Sequence, residues 1–467
     1  MWYSLDMKKM RDRLAVLVMV AGSVVSVGGW AGAQEVAPKV SEPCYAPGAH
    51  PGGEKPDAGE MVLIADAMSD AAAVRMEVQK VMDAMAAAAV KGDAAGYLAG
   101  VDEGDVWFLN EQKYLAKDLT LLEGTKKPVE CAFEVGEVTL RSDGKEAVAR
   151  LVTKWRQGPR EDGSARKARK VEFDAVWKKG AEGWKYAGEV WEVFEGDRVR
   201  VYFEPVLTEK GESGDAASSA EELERRRALA ETTARAFANV RGIVEAEFGL
   251  EGTAFAKEHT HKVKLYKSMR RLQSSICFAY EDPLGGWNEP GEPIKLLASA
   301  NTTIEGLQGV LSHEYGHCCT FELGASSNLM PWWVLEGTAE LVSQAINGRP
   351  MPGVEGATLS GGTGSPNSRV ERWAKRGSLA EWEDLADFEV VPDRLHGNVY
   401  TQGHHMMQYI TQKVGREGRV KWLTAMAKGK KIDEATREVM GMGFVELDRE
   451  WRGSLPKPEE EKAEGGE

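Results

Sequence analysis

Basic residues are outnumbered in this chain. Lys and Arg total 59 against 73 Asp and Glu, a formal charge of −14 over 467 residues. That balance offers no broad electrostatic footprint for nucleic acid. Cysteine is sparse as well, with five residues at 44, 131, 277, 318 and 319. So few, and an odd number, exclude a disulfide-built scaffold but leave room for one or two bridges. Cys318 and Cys319 read first as buried helix positions. Long apolar runs are missing after residue 27, so no later stretch reads as membrane-spanning. Histidine occurs only 8 times, which makes any regular histidine spacing informative.

What is present begins with Lys8, Lys9, Arg11 and Arg13, then an apolar run from Leu14 to Val27 and a small-residue site Ala31-Gly32-Ala33. This is the layout of a signal peptide. It places the protein outside the cytoplasm, secreted or periplasmic, with an uncleaved N-terminal anchor as the alternative. Residues 34–59, rich in Pro, Gly and Ala, read as a flexible extension. Ser69 to Val90 and Ala94 to Val101 look helical. Val129 to Leu140 and Ala147 to Trp155 alternate about Asp143-Gly144, which predicts a hairpin. Lys170 to Lys178, Trp184 to Phe194 and Val199 to Phe203 add strands. Helices followed by antiparallel strands predict an α+β domain over 60–206. The stretch Ala89-Val90-Lys91-Gly92-Asp93-Ala94-Ala95-Gly96-Tyr97-Leu98, with the Trp-rich closing strands, resembles the NTF2-like fold, a curved sheet wrapped on helices. That resemblance implies a ligand pocket, which Asp102 and Asp105 could line, although surface positions suit such charged side chains better.

Residues 207–219 form a linker. Ser219-x-x-Glu222 opens a helix of about Ala220 to Phe248. His261 to Tyr266 reads as a strand, Ser268 to Ile276 as a helix and Ile294 to Ala298 as a short strand. A helix from Thr302 or Thr303 to about Thr320 then carries His313-Glu314-x-x-His317. Positions i and i+4 share a helix face, so two imidazoles there can meet one ion. Cys318 is turned about 100° away from His317 and is not a ligand. A third protein ligand is needed, with a position left for water.

Eighteen residues after His317, Glu336 stands in Trp333-Val334-Leu335-Glu336-Gly337-Thr338-Ala339. His-Glu-x-x-His, 18 residues, then Glu within Trp-x-x-Glu-Gly-x-Ala resembles the gluzincin metallopeptidases, the M1-like or peptidase MA-like group. The resemblance covers about residues 255–430 and implies a mainly helical, thermolysin-like zincin domain over 220–454. It implies Zn2+ held by His313, His317 and Glu336, with Glu314 as general base. Glu340 would be the carboxylate that holds a histidine ligand in its tautomer. In Asn398-Val399-Tyr400-Thr401-Gln402-Gly403, Tyr400 matches the family's Tyr-x-x-Gly and would donate to the oxyanion. Ile294 to Ala298 becomes, by analogy, the strand that receives extended substrate.

The family's aminopeptidases carry a Gly-x-Met-Glu-Asn phrase that this chain lacks, so an endopeptidase or undefined peptidase is expected. A peptide or protein is the expected substrate. A zinc-containing binding or scaffold protein, with its ligand in the first domain, is the alternative. His404 and His405 read as cleft lining, with a second metal site as the other choice. His259 and His261 share a strand face without an obvious carboxylate. Gly348 to Ser368 suits a mobile flap, and 455–467 a disordered charged tail.

Overall fold

Strict alternation and well-placed caps build the first half of the molecule. The structure is a computed structural model describing residues 58–457 except 123, 161, 207–215, 282, 300, 351–357, 360–365 and 389–390. The expected leader, nearly all of the extension, most of the linker and of the 348–368 loop, and the tail beyond 457 lie outside the described residues. Helix α1 (Ala58–Lys91) stops at Gly92, whose φ of +73° is left-handed. Asp93 caps α2 (Ala94–Leu98), and Asp105 caps α3 (Val106–Leu121) by accepting from Trp107 N and Phe108 N. Asp102 accepts from Gly104 N in the turn before it. Both aspartates therefore shape the chain here. The predicted hairpin forms as β1 (Pro128–Leu140) and β2 (Glu146–Gln157). Strands β3 (Arg169–Gly180) and β4 (Gly183–Glu189) complete an antiparallel sheet ordered β1-β2-β3-β4. Ala147, Ala149, Leu151 and Trp155 of β2 are buried in one core with Val78 and Met82 of α1 and Leu115 and Leu119 of α3.

The NTF2-like expectation is corrected here. This sheet is open, not closed or strongly curled on itself, and the strands expected to extend it leave. The stretch Trp184 to Phe194 breaks after Glu189. β5 (Glu192–Gly196) and β6 (Val199–Phe203) form a hairpin that joins a second sheet. The reason lies in packing. Val199, Val201 and Phe203 belong to a different core, shared with Ala230, Ala234, Phe237 and Val240 of helix α4 (Ala216–Glu247). The protein is an α+β fold with two open sheets, and its second half carries a mixed sheet in addition to its helices.

After α5 (Ala254–Glu258), β7 (His261–Tyr266) pairs parallel with β6. Helix α6 (Met269–Ser274) follows, then β8 (Gly286–Trp287) and β9 (Ile294–Leu297). The sheet order is β5-β6-β7-β9-β8, with β8 antiparallel to β9 and at the edge. β9 was the expected substrate strand, but both of its sides are taken, by β7 and β8. Only β8 offers a free edge there. Helices α7 (Ile304–Glu322), α8 (Trp332–Ala345), α9 (Pro366–Lys375), α10 (His396–Ala427), α11 (Ile432–Met440) and α12 (Phe444–Gly453) complete the chain. Gly415, at φ +72° and ψ 173°, kinks α10. No helix among the described residues is long and apolar enough to cross a membrane.

The two sheets are tied by buried polar contacts. Arg271 of α6 pairs with Glu189 at 2.6 Å and Glu204 at 3.0 Å. Lys264 of β7 pairs with Glu111 of α3 at 2.6 Å. Trp155 Nε1 donates to Phe278 O at 2.7 Å.

Candidate metal centre

Helix α7 is set by its ends and by one apolar row. Thr303 caps it, accepting from Gly306 N. Leu307, Leu311, Tyr315 and Cys319, each four residues apart, are buried in the second core. The Tyr315 hydroxyl donates to Glu245 Oε1 at 2.8 Å and lies 3.1 Å from His261 Nε2, which fixes the helix against α4 and β7. His313 and His317 then occupy a neighbouring face, directed at α8.

Three ligand atoms converge there. His313 Nε2 lies 3.2 Å from His317 Nε2 and 3.2 Å from Glu336 Oε2, and His317 Nε2 lies 3.6 Å from the same oxygen. Zinc bound to nitrogen and oxygen at about 2.0–2.1 Å in a tetrahedron separates its ligands by roughly 3.3 Å. The observed triangle has that size. It is also under-bonded: Glu336 Oε2 is buried and has no hydrogen-bond partner, while its Oε1 accepts from Trp332 Nε1 at 2.8 Å. Buried acceptors turned on one point call for a cation. This is the one cluster of metal-ligating groups found among the described residues. The residues present fit a zinc ion.

The electrostatics agree. Burial alone would lift the Glu336 carboxyl, but His317 and His313 outweigh it and hold it at about 2. Burial pulls His313 down, yet Glu336 and Glu340 carry it well above the usual imidazole range. His317 is lowered, mainly by burial.

Two glycines bring the helices close enough. A Cβ on Gly337 would meet the Gly403 carbonyl carbon at 2.4 Å, and one on Gly403 would meet Trp333 O at 2.6 Å. Helices α8 and α10 therefore touch backbone to backbone beside Glu336. The glycines in Glu-Gly-x-Ala and Tyr-x-x-Gly earn their places through this contact.

Glu314 is fully buried beside the triangle but outside it, and neither of its oxygens has a hydrogen bond. Burial raises its carboxyl to about 8, with Glu336 adding and His313 opposing. A nearby dication would reverse that rise. Gly286 of β8 makes room for it, since a Cβ there would lie 2.4 Å from Glu314 Oε1. Glu340 Oε1 lies 3.3 Å from His313 Nδ1. The Tyr400 ring stands 6.3 Å from that of His313 and 6.0 Å from that of Trp332, centroid to centroid. The six site residues read from sequence thus gather in one place.

Others do not join them. His405 Nδ1 accepts from Trp451 Nε1, and His259 stacks on Phe255. Cys318 donates to Asn288 Oδ1 at 3.3 Å, and no disulfide joins the four described cysteines. His404 is buried with both ring nitrogens unbonded and is held down at about 4, chiefly by burial. Sequence reasoning missed Trp332, although its position four residues before Glu336 on a helix was a usable signal. It also missed Gly286, whose role depends on a two-residue strand. Set against protein-family models and against curated proteins, the chain matches none.

Proposed function

We propose that this chain is a zinc-dependent peptidase, as its resemblance to the gluzincins implies. The observation that carries the reading is Glu314, a buried, unbonded carboxylate beside three converging donors and not one of them. A purely ligating site has no use for it. His313, His317 and Glu336 would hold the ion. Zinc there supplies Lewis acidity and makes water a nucleophile near neutral pH.

The remaining chemistry belongs to the side chains. Glu314 takes a proton from the attacking water and delivers it to the leaving amine nitrogen. Glu340 keeps the His313 proton on Nδ1, so that Nε2 presents its lone pair. Trp332 occupies Glu336 Oε1 and leaves Oε2 directed inward. The Tyr400 hydroxyl donates to the oxygen that gains charge as the carbonyl becomes tetrahedral. The open edge of β8, next to Glu314, suits an extended peptide.

The test is Glu314→Gln. Zinc should remain at one per chain while turnover of a mixed peptide library falls by about 10²–10⁴, the usual worth of a general base. Zinc binding with no peptide or protein cleaved by the unaltered chain would refute the reading and favour a zinc-containing binding protein.

A further inference from the structure

A cavity of about 390 Å³ lies between α3, residues 276–295 and the start of α8. Two of its walls reach the metal centre. Trp332 lines the cavity and donates to Glu336. A Cβ on Gly286 would meet Glu314, and Trp287 and Glu289, which follow it, line the cavity. Three residues of chain span at most about 10 Å, which keeps Glu289 within that distance of Gly286.

Its lining has a distinct chemistry. Glu289 is only 8% exposed, faces the cavity and makes no side-chain hydrogen bond or ion pair among the described residues. Glu292, by contrast, holds Lys295 at 3.0 Å, and Lys295 also approaches Glu111 at 3.7 Å. The charge of that lysine is therefore already matched. Asp118 and Asp387, each with partners of its own, also border the cavity, and the exposed Lys117 stands at the rim. Two edge-to-face aromatic pairs complete the wall: Tyr280 with Trp287 at 5.8 Å, and Trp332 with Phe388 at 4.7 Å. Tyr114 of α3 donates to Pro290 O, and Asn110 to Gly291 O, so the loop bearing Glu289 is anchored.

We propose that this cavity receives a basic side chain of the substrate, lysine or arginine, at the residue next to the bond cleaved. The proposal rests on the peptidase reading. Aromatic faces suit the aliphatic stem and attract the cationic head, and Glu289 pairs with that head. The volume lies near the lower end for small-ligand pockets, roughly 300–1,000 Å³, which suits a whole side chain better than a lone terminal ammonium. Burial, with Glu292 and Asp118 adding and Lys117 and Lys295 opposing, pushes the Glu289 carboxyl well above its usual range. An incoming cation is the partner that would relieve it.

The test is binding, measured by calorimetry on the zinc-loaded full chain carrying Glu314→Gln, so it does not depend on turnover. Acetyl-lysine amide and acetyl-arginine amide should bind at least tenfold tighter than acetyl-norleucine amide. Glu289→Gln should abolish that difference. The comparison among ligands needs no variant, so a folding defect in Glu289→Gln would leave it standing. Equal binding of the norleucine compound, or an alanine amide with a free α-amine binding as well as acetyl-lysine amide, would overturn the proposal. Cleavage of peptides without preference for a neighbouring basic residue would also overturn it while sparing the peptidase reading. Selective binding without any cleavage would do the reverse.

Discussion

An alanine at position 337 sets two energies against each other. In an open helix interior, Gly→Ala stabilises by about 1 kcal/mol through backbone entropy. At Gly337 the new Cβ would sit 2.4 Å from the Gly403 carbonyl carbon and 2.7 Å from its oxygen. Ordinary contact is about 3.5–4.0 Å, so α8 and α10 must part by roughly 1 Å. Those atoms are backbone and cannot rotate away. Overpacking of this kind costs about 1–3 kcal/mol, here at the upper end, leaving a net loss of about 1–2 kcal/mol. Gly309, inside α7, is the control, because a Cβ there meets nothing within 4 Å. Gly309→Ala should stabilise by up to about 1 kcal/mol. Denaturant unfolding followed by tryptophan fluorescence reads both, since Trp332 and Trp333 sit on α8. The same 1 Å shift separates Glu336 from Tyr400 and should cost turnover about 10²-fold. If Gly337→Ala proved as stable as the parent chain, or if both variants shifted in the same direction, the close-contact reasoning would be refuted.

Glu336→Ala should drop bound zinc from one per chain to near zero by metal analysis, since it removes an acceptor aimed at two histidines. Chelation of the unaltered protein should lower its unfolding temperature, and zinc should restore it. At a free-zinc excess of 1,000 over Kd the lost stabilisation is about 4 kcal/mol. His261 is held down at about 3, mainly by burial with His259 and Arg241 assisting, and His404 at about 4. Both stay neutral when folded and protonate near 6.5 when unfolded, so stability is fully present above 6.5 and declines as pH falls toward 4. The slope is on the order of 1 kcal/mol per pH unit for each. Urea midpoints at pH 7 and 5 check this, and His404→Gln should flatten the slope. Arg271→Ala should destabilise by about 3–5 kcal/mol, because Glu189 and Glu204 would be left buried without their partner.

Local pattern carried much of this structure. The bounds of α7 follow from Thr303 and the Leu307–Leu311–Tyr315–Cys319 row, and β7 runs over the residues whose alternation predicts it. The metal-site residues were legible because helix geometry and one spacing place them. The sheet partition was not. Nothing within Val199 to Phe203 says that it pairs with His261 to Tyr266, 62 residues on, rather than with the preceding meander; only burial against α4 decides it. β8 is two residues long and has no periodicity to read. Glu289 looks like any loop glutamate until α3 closes over the loop that bears it.

The parallel pairing of β6 with β7 bears on how the molecule can be divided. The stretch 207–219, read from sequence as a linker, is the obvious place to cut a gene in two. A fragment starting at 220 would lose β5 and β6 and bare the side of β7 that β6 covers. Val263 and Leu265 lie on that strand, fully or almost fully buried in the intact chain. Such an unpaired, apolar edge invites intermolecular strand addition and aggregation. A soluble fragment bearing the His313-His317-Glu336 cluster should therefore begin upstream of Glu192, and the first sheet's last strand ends three residues before that.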